Sequence, residues 1–222
     1  MSDVLFQESG KSFRVGKILC IGRNYSSHAK EMNAEITESP VVFLKPGTAI
    51  IHNDEKIVIP RISSDVHHEV ELVVVIGQRA RHVRRERAYE NIEGYAVGLD
   101  MTLRDVQAEA KRNGLPWTVA KGFDTSAPLS PFVVPQEVPD PHNLDISLRV
   151  NGILRQHSNT RQMLFRVEEM ISYISTVFTL EPGDMIFTGT PEGVGQVIPG
   201  DILEAVLGSV GTLTVTVGRA GE

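Results

Sequence analysis

The sequence has very little cysteine, and Cys20 is the only one among its 222 residues. A single thiol excludes disulfide bonds within the chain and any zinc site built from cysteines. Cys20 lies in the apolar run K-I-L-C-I-G at 17–22, which indicates a buried core thiol rather than a nucleophile. Because disulfides are rare in reducing compartments, this usage favours a cytoplasmic location.

The sequence also lacks an excess of positive charge and a long hydrophobic run. Its formal net charge is −6 and its pI is near 5.7, which argues against nucleic acid as the main partner. The one basic cluster, residues 79–87, has Glu86 within it and Glu90 just after it, and is interpreted as a solvated turn or helix face. The first ten residues carry no signal-peptide pattern, and no apolar run approaches the roughly 20 residues that span a bilayer. We therefore expect neither nucleic acid nor a membrane as a partner.

What the sequence does contain is many short β signals. Short apolar runs with β-branched or aromatic residues lie at 17–21, 40–44, 70–76, 95–99 and 213–217. Strands this short and this regularly spaced predict one mainly β (α+β) domain, a sandwich or a rolled barrel.

Helical signals are few. A short helix is expected to be capped by Thr102, with Asp105 three residues later, and to end before Gly114. Residues 167–178 have apolar positions at helical spacing, which predicts an amphipathic helix. Residues 146–155 predict a hairpin, because their central Asn-Gly pair suits a type I′ turn.

Two glutamates interrupt the hydrophobic run D-V-H-H-E-V-E-L-V-V-V at 65–75. Side chains two residues apart in a strand point the same way, so Glu69 and Glu71 should share a face with His67 while Val70 packs behind. Two adjacent carboxylates repel, so one raises its pKa, a cation balances them, or both are solvated. The alternative to a cation site is an edge strand with its polar face in water.

Asp100 supplies a third carboxylate, since it ends the apolar strand at 95–99 and precedes the expected helix. Two glutamates and one aspartate make an all-oxygen site, which suits Mg²⁺ or Mn²⁺ better than zinc. The alternative is a histidine–carboxylate iron centre that uses His67 or His68, but no second histidine stands at a suitable spacing.

A histidine and a glutamate follow the first apolar strand. The stretch G-R-N-Y-S-S-H-A-K-E-M at 22–32 predicts one or two helical turns, with His28 and Glu31 at i and i+3 on one face. A histidine oriented by a carboxylate can act as a general base near neutral pH. The alternative is an ordinary surface pair.

Three further positions carry polar side chains next to these stretches. Arg104 and Gln107 fall on one side of the helix after Asp100, and Lys121 lies in an otherwise apolar segment, where it either snorkels to water or faces an anion. The Gly-rich segment 187–195 lacks the ending of a nucleotide P-loop, but its backbone N–H groups and Thr190 could hold a carboxylate.

Taken in order, six segments resemble the fumarylacetoacetate hydrolase family, and most closely its short acylpyruvase and oxaloacetate decarboxylase branch. The segments are I-G-R-N-Y, H-H-E-V-E-L, G-L-D-M-T-L-R-D-V-Q, G-L-P-W-T-V-A-K-G-F, N-G-I-L-R-Q and T-G-T-P-E-G-V-G. The resemblance implies a mixed β-roll of the family's C-terminal type with a few short helices. It further implies a homodimer, a lead-in at residues 1–15 and a single catalytic domain over 16–222.

The resemblance also assigns roles to residues. Glu69, Glu71 and Asp100 match the metal ligands, His28 and Glu31 match a catalytic dyad on a mobile lid helix, and Lys121 matches the active-site lysine. Arg104, Gln107 and Thr190 match positions that line the substrate pocket. His67 and His68 are expected in the wall of the site or behind its ligands.

The expected activity is Mg²⁺-dependent (or Mn²⁺-dependent) hydrolysis of acylpyruvates, which are small 2-oxo acids, to pyruvate and a carboxylic acid. The cation would stabilise the departing enolate while His28, oriented by Glu31, activates water. One alternative is decarboxylation of oxaloacetate or a related 2-oxo acid, since that reaction forms the same enolate. Isomerisation of a 2-hydroxymuconate-type acid is another, and a non-catalytic metal-binding module is an alternative of a different class.

Overall fold

The computed structural model describes residues 3–7, 12–32, 35 and 37–221. Two five-stranded sheets make up most of it. The first sheet has the order β4-β3-β14-β8-β9 and the second has the order β13-β12-β16-β17-β6. The strands of the first sheet are β3 (Ile18–Gly22), β4 (Val41–Lys45), β8 (Val70–Ile76), β9 (Ile92–Leu99) and β14 (Met185–Phe187). The strands of the second sheet are β6 (Lys56–Ile59), β12 (Asp145–Val150), β13 (Ile153–Asn159), β16 (Ile202–Leu207) and β17 (Gly211–Arg219).

Short strands and helices complete the fold. A three-stranded sheet and two strand pairs comprise β7 (Val66–His68), β10 (Thr102–Leu103) and β15 (Gly195–Val197), β1 (Asp3–Leu5) with β2 (Ser12–Arg14), and β5 (Ile50–Ile51) with β11 (Ala127–Pro128). The α-helices are α1 (Ser26–Glu31), α2 (Arg104–Arg112), α3 (Thr118–Lys121) and α4 (Val167–Val177). Short 3₁₀ helices span Gly47–Ala49, Arg85–Asn91, Pro135–Glu137 and Thr160–Gln162. The described residues form no helix long and apolar enough to cross a membrane.

The two large sheets differ in how they are buried. In the second sheet β16 alternates exposed and buried residues, which is the pattern of a sheet with one face in water. In the first sheet all seven residues of β8 are buried, because one face packs on the second sheet and the other on a separate apolar cluster around Phe132 and Phe187. Burial on both faces explains the near-continuous valines of this strand. The mainly β, α+β fold expected from the sequence is confirmed, and the sheets are open rather than closed in the described part of the chain.

Several local predictions are confirmed. The hairpin between β12 and β13 turns at Asn151 and Gly152, which have φ values of 52° and 76° as a type I′ turn requires. Helix α4 covers the predicted amphipathic segment, and Cys20 is fully buried, where burial raises the pKa of its thiol.

Two local predictions are wrong. Thr102 does not cap α2, because it lies in β10 and its hydroxyl donates to the Asp100 carbonyl at 3.2 Å, and the helix begins two residues later. The run 65–75 is not one strand either. The chain leaves the three-stranded sheet after His68 and enters the first sheet at Val70, so Glu69 lies between two sheets.

The expected lead-in of residues 1–15 is only partly described, since residues 1, 2 and 8–11 lie outside the described ranges. Its strands β1 and β2 pair antiparallel with each other. Phe6 packs on Phe132 with ring centroids 5.7 Å apart, and this contact attaches the segment to the outer face of the first sheet.

Candidate active site

The three predicted carboxylates converge where the β8–β9 ladder ends. Val70 lies opposite Leu99 in this antiparallel pair, and the Asp100 N–H donates to the Glu69 carbonyl at 2.8 Å. Glu69 and Asp100 are therefore neighbours at the end of the ladder, and Glu71 lies two residues further along the chain, in β8. One carboxylate oxygen from each lies within 4.8 Å of the other two, and all three residues are buried. The alternative of a solvated edge strand is wrong, since β8 lies between β14 and β9.

Two of the predicted cationic residues contact this cluster. Lys121 Nζ lies 2.8 Å from Glu69 Oε2 and 2.6 Å from Asp100 Oδ2, and Arg104 Nη2 lies 2.6 Å from Glu69 Oε1. Lys121 is buried, so the alternative that it snorkels to water is also wrong. Short α3, which ends at Lys121, is what aims its side chain at the carboxylates.

The nearby cations shift the pKa values of Glu69 and Glu71 in different ways. Burial alone would raise the pKa of Glu69, but Lys121 and Arg104 hold that pKa well below its usual value. Burial, with the charges of Asp100 and Glu69 beside it, raises the pKa of Glu71 well above its usual value. Burial would lower the pKa of Lys121, whereas Asp100 and Glu69 raise it. Glu71 is thus the member of the cluster that lacks a compensating positive charge.

The residues present fit a divalent cation. Among the described residues, Glu71 accepts the Gly189 N–H at 2.8 Å but forms no ion pair. A buried carboxylate without a cation is costly, and three convergent carboxylate oxygens are the donors that Mg²⁺ and Mn²⁺ prefer. Neither His67 nor His68 belongs to this cluster of described residues, so the donor set does not favour the iron alternative.

Lys45 is a residue that the sequence reasoning missed. It ends β4, its side chain is fully buried, and its Nζ lies 2.8 Å from Asp100 Oδ1. The carbonyls of Met101, Lys121 and Ser126 and the Ser126 hydroxyl also lie within hydrogen-bonding distance of this nitrogen, whose three N–H groups they share with Asp100. Lys45 therefore ties the third carboxylate to the turn that carries Lys121. Its position at the end of an apolar run was the available signal, but such a lysine usually reaches solvent.

The predicted histidine–glutamate pair forms on α1. His28 Nδ1 lies 3.2 Å from Glu31 Oε2, and the Gly193 N–H donates to Glu31 Oε1 at 3.0 Å. His28 is buried and lines the same cleft as the carboxylates, so the alternative of an ordinary surface pair does not describe it. The Gly-rich segment does hold carboxylates as expected, but they are the protein's own Glu31 and Glu71.

Glycine is required at position 189 in this segment. Its φ is +97°, and a Cβ there would lie 2.6 Å from the Cβ of Asn24. The close approach lets the backbone N–H reach Glu71. A side chain at this position would displace the segment from the cluster.

The remaining predicted residues lie around the cleft. Arg104 Nη1 donates to Gln107 Oε1 at 2.7 Å, and both side chains line the cleft with Thr190. Gln156, which belongs to the N-G-I-L-R-Q segment but was given no role, donates from Nε2 to Thr190 Oγ1 at 2.8 Å and to the Pro191 carbonyl at 2.9 Å. It holds Thr190 at the cleft.

The two histidines of the 65–75 run take different positions. His68 is buried, and its Nδ1 lies 2.9 Å from Gln156 Oε1, which places it behind Thr190. His67 Nε2 lies 2.9 Å from Asp65 Oδ1. The prediction that His67 shares a face with both glutamates is wrong, because β7 and β8 belong to different sheets.

The cleft gathers most of the candidate residues. Those that line it are His28, Glu69, Glu71, Asp100, Arg104, Gln107, Lys121 and Thr190, together with the aromatic residues Phe43 and Trp117. Glu31 stands behind His28 and contacts it.

Residues 17–218 match the family described as fumarylacetoacetate (FAA) hydrolase, C-terminal. The human protein oxaloacetate tautomerase FAHD1, mitochondrial, is 47% identical over 212 residues, which cover 96% of this chain and 94% of that protein.

Solved structures resemble nearly the whole chain. The crystal structure of fumarylpyruvate hydrolase from Pseudomonas aeruginosa in complex with Mn²⁺ and pyruvate has a TM-score of 0.95 at 39% identity, and the match covers 98% of this chain and 96% of that one. The structure of 5-carboxymethyl-2-hydroxymuconate delta-isomerase from Mycobacterium smegmatis has a TM-score of 0.84 at 40% identity, covering 96% and 87%.

Proposed function

The chain belongs to the fumarylacetoacetate hydrolase family, and from that membership we propose that it is a divalent-metal-dependent hydrolase of acylpyruvates. The substrates would be β-diketo acids such as acetylpyruvate or fumarylpyruvate, and the products pyruvate and a carboxylic acid. A fumarylpyruvate hydrolase of nearly the same fold, solved with Mn²⁺ and pyruvate, supports the reaction class. Within the chain, we propose residues 16–222 as the catalytic domain and 1–15 as a lead-in.

Glu69, Glu71 and Asp100 would hold Mg²⁺ or Mn²⁺. When bound there, the cation supplies Lewis acidity to the 2-oxo and carboxylate oxygens of the substrate. The buried Glu71, which lacks an ion pair among the described residues, supports this assignment. Arg104, Gln107 and Thr190 would bind the substrate beside the cluster, since all three line the cleft.

The single observation that carries hydrolysis is the His28–Glu31 pair over the carboxylate cluster. Glu31 engages Nδ1, which leaves Nε2 to take a proton from water. The water oxygen attacks the distal carbonyl carbon, the C–C bond breaks, and its electron pair passes to the pyruvate carbon. His28 then returns the proton to that carbon, which gives pyruvate and the acid. Lys121 offsets the negative charge that develops on the departing group.

The test uses purified protein with Mg²⁺ and acetylpyruvate in H₂¹⁸O. We expect one ¹⁸O atom in the released acid, and we expect His28→Ala to lower kcat by about 10²- to 10⁴-fold. The matched control is His157→Ala, an exposed histidine on β13 far along the chain. A His28→Ala variant with wild-type turnover would show that the dyad does not activate water.

A second candidate is chemistry on oxaloacetate, either tautomerisation or decarboxylation. It is favoured by the human relative named oxaloacetate tautomerase, which is more similar in sequence than the hydrolase structure. Proton transfer between carbon and oxygen needs a proton carrier but no attacking water, and His28 or Lys121 could serve. Ultraviolet absorption follows the enol, and CO₂ release reports decarboxylation.

Isomerisation of an unsaturated 2-hydroxy acid, as in the relative from Mycobacterium smegmatis, would be scored with the same His28→Ala variant.

We also propose that the protein is a homodimer, as the family resemblance implies. Light scattering after size-exclusion chromatography would give a mass near twice the 24.4 kDa of the chain. A mass near 24.4 kDa at micromolar concentration would contradict it.

For location we propose the cytoplasm, supported by the single free cysteine at position 20. The human relative is named as mitochondrial, so fractionation of the source cells decides between compartments.

A further inference from the structure

Two cationic residues that line the cleft have no role in the proposed mechanism. Arg23 follows β3, and Lys111 lies in the last turn of α2. Both contribute to the wall that also contains Glu69 and Asp100.

The charges that line the cleft are unbalanced. Four cations and three carboxylates face it, and the other two cations, Arg104 and Lys121, are already paired with the carboxylates. Within the described ranges, neither Arg23 nor Lys111 forms an ion pair. The Arg23 guanidinium reaches the Glu35 carbonyl at 3.4 Å, which leaves its charge uncompensated. A bound divalent cation would add to this positive excess.

Aromatic packing sets the position of Lys111. Its Nζ lies 5.3 Å from the centroid of the Trp117 ring, and Trp117 packs edge-on against Phe43 with centroids 5.9 Å apart. Lys111 is exposed at the rim of the cleft, and partial burial with the neighbouring charges of Arg104 and Arg23 lowers its pKa, so these cations lie near one another. An ammonium held over a ring, beside other cations, attracts an anion.

The backbone of Arg23 is also unusual. Its φ is +61°, in the left-handed region that residues other than glycine enter only at a cost in backbone energy. Conformations of this kind persist where the surrounding structure enforces them, and they cluster at ligand sites. Here the strained residue brings a guanidinium to the cleft.

We propose that Arg23 and Lys111 form a second anion subsite that binds a distal carboxylate, so that the substrate is a dicarboxylic acylpyruvate. The inference rests on the proposed function only in placing the 2-oxo acid end at the carboxylate cluster. The guanidinium offers two parallel N–H donors to one carboxylate, and the ammonium adds a point charge. The second carboxylate of the substrate then supplies the negative charge that the cleft lacks.

The first test compares kcat/KM for fumarylpyruvate and for acetylpyruvate, which differ in a distal carboxylate. Wild-type protein should prefer fumarylpyruvate. Arg23→Gln and Lys111→Gln should each lower the ratio of the two kcat/KM values by about tenfold, which corresponds to roughly 1.4 kcal/mol. Arg112→Gln is the matched control, since it removes one charge from the next position of α2 outside the cleft. An unchanged ratio in both variants, or an equal change in Arg112→Gln, would overturn the subsite.

The second test does not depend on turnover. Calorimetry on the Mn²⁺-loaded protein would compare 2-oxoadipate with 2-oxohexanoate, which have the same carbon chain but two carboxylates and one. We expect 2-oxoadipate to bind at least about tenfold more tightly, and Arg23→Gln to lower that preference by about tenfold. Equal binding by wild-type protein would overturn the subsite and leave hydrolysis standing. A clear preference without turnover of either acylpyruvate would overturn hydrolysis and leave the subsite standing.

Discussion

Ion pairs of similar length occur in two very different parts of this molecule. In the buried carboxylate cluster, Lys121 and Lys45 lie 2.6–2.8 Å from Asp100. On the surface beside α4, Arg79 lies 3.0 Å from Glu181, with 75% and 47% of their side chains exposed. Arg85–Glu169 and Arg87–Glu90 belong to the same surface group. The distances alone would rank the two sets as nearly equal.

What separates the two sets is the cost of leaving water. Surface pairs keep most of their hydration and add about 0–1 kcal/mol each. Buried pairs lose hydration that their attraction repays only with good geometry, yet removal of one partner strands the other charge in the interior. A chain optimised only for stability would gain little by placing Glu69, Glu71 and Asp100 together. Stability therefore does not explain why the three carboxylates are buried together at a strand end, whereas the proposed metal site does.

The comparison is tested most strongly by Lys45→Met. This change strands Asp100 Oδ1 and leaves the carbonyls that Lys45 satisfied without their donor. We expect the free energy of unfolding to fall by about 3–5 kcal/mol in denaturant titrations. The control is Lys56→Met, an exposed lysine at the start of β6. Addition of Asp100→Asn should recover part of the loss, and a Lys45→Met loss below about 1 kcal/mol would contradict the difference between the regions.

Metal binding should change the buried set alone. A cation at 100 times its Kd should raise the free energy of unfolding by about 2.7 kcal/mol, and a chelator should reverse the gain. Glu71→Gln should abolish the gain, whereas Glu204→Gln, an exposed glutamate on β16, should retain it. Thermal melts with and without Mn²⁺ measure the gain in each of the two variants. Equal stabilisation of the Glu71→Gln variant would place the cation elsewhere.

A smaller effect is expected at Glu168, which lies between the two extremes. Burial would raise its pKa, but the Tyr89 hydroxyl at 2.7 Å, together with Arg166, lowers the pKa of Glu168 to about 2. A depressed carboxyl pKa gives stability that is present above pH 4.5 and lost as the pH falls towards 2. Tyr89→Phe should raise the pKa of Glu168 and move that loss to higher pH. Carbon NMR titration of the carboxyl groups reports the shift, with Tyr173→Phe as the control, and an unmoved titration would contradict the assignment.

The smallest effect is expected at the surface pair itself. Arg79→Gln should change the free energy of unfolding by less than about 1 kcal/mol, and the change should shrink further in 1 M salt. The same denaturant titration measures it. A loss as large as that of Lys45→Met would mean that the pair is less hydrated than its exposure indicates.

Glu69, Glu71 and Asp100 could be predicted because charge in an apolar strand has few structural explanations. The His28–Glu31 pair was predictable for a similar reason, since i,i+3 spacing places both on one helix face. Lys45 could not be predicted, because only the pairing of β4 with β3 turns this strand end towards Asp100. The position of His67 was missed because a change of sheet at Glu69 leaves no mark on the alternation of polar and apolar residues. Local periodicity thus located the candidate metal ligands, while the contacts that support them depend on tertiary structure.

Gln156 sets the direction of the hydrogen bonds that lead to the cleft. The peptide N–H of Val70 can only donate, so the Gln156 atom that it meets at 3.0 Å must be the amide oxygen. His68 therefore donates from Nδ1 to that oxygen, and the amide NH₂ points at Thr190. Thr190 Oγ1 thus accepts, and its own proton has no acceptor among the described residues. The peptide N–H of Val70 thereby fixes the Thr190 hydroxyl as a hydrogen-bond donor towards the cleft. A ligand with an anionic oxygen can accept this hydrogen bond, whereas a ligand that can only donate cannot.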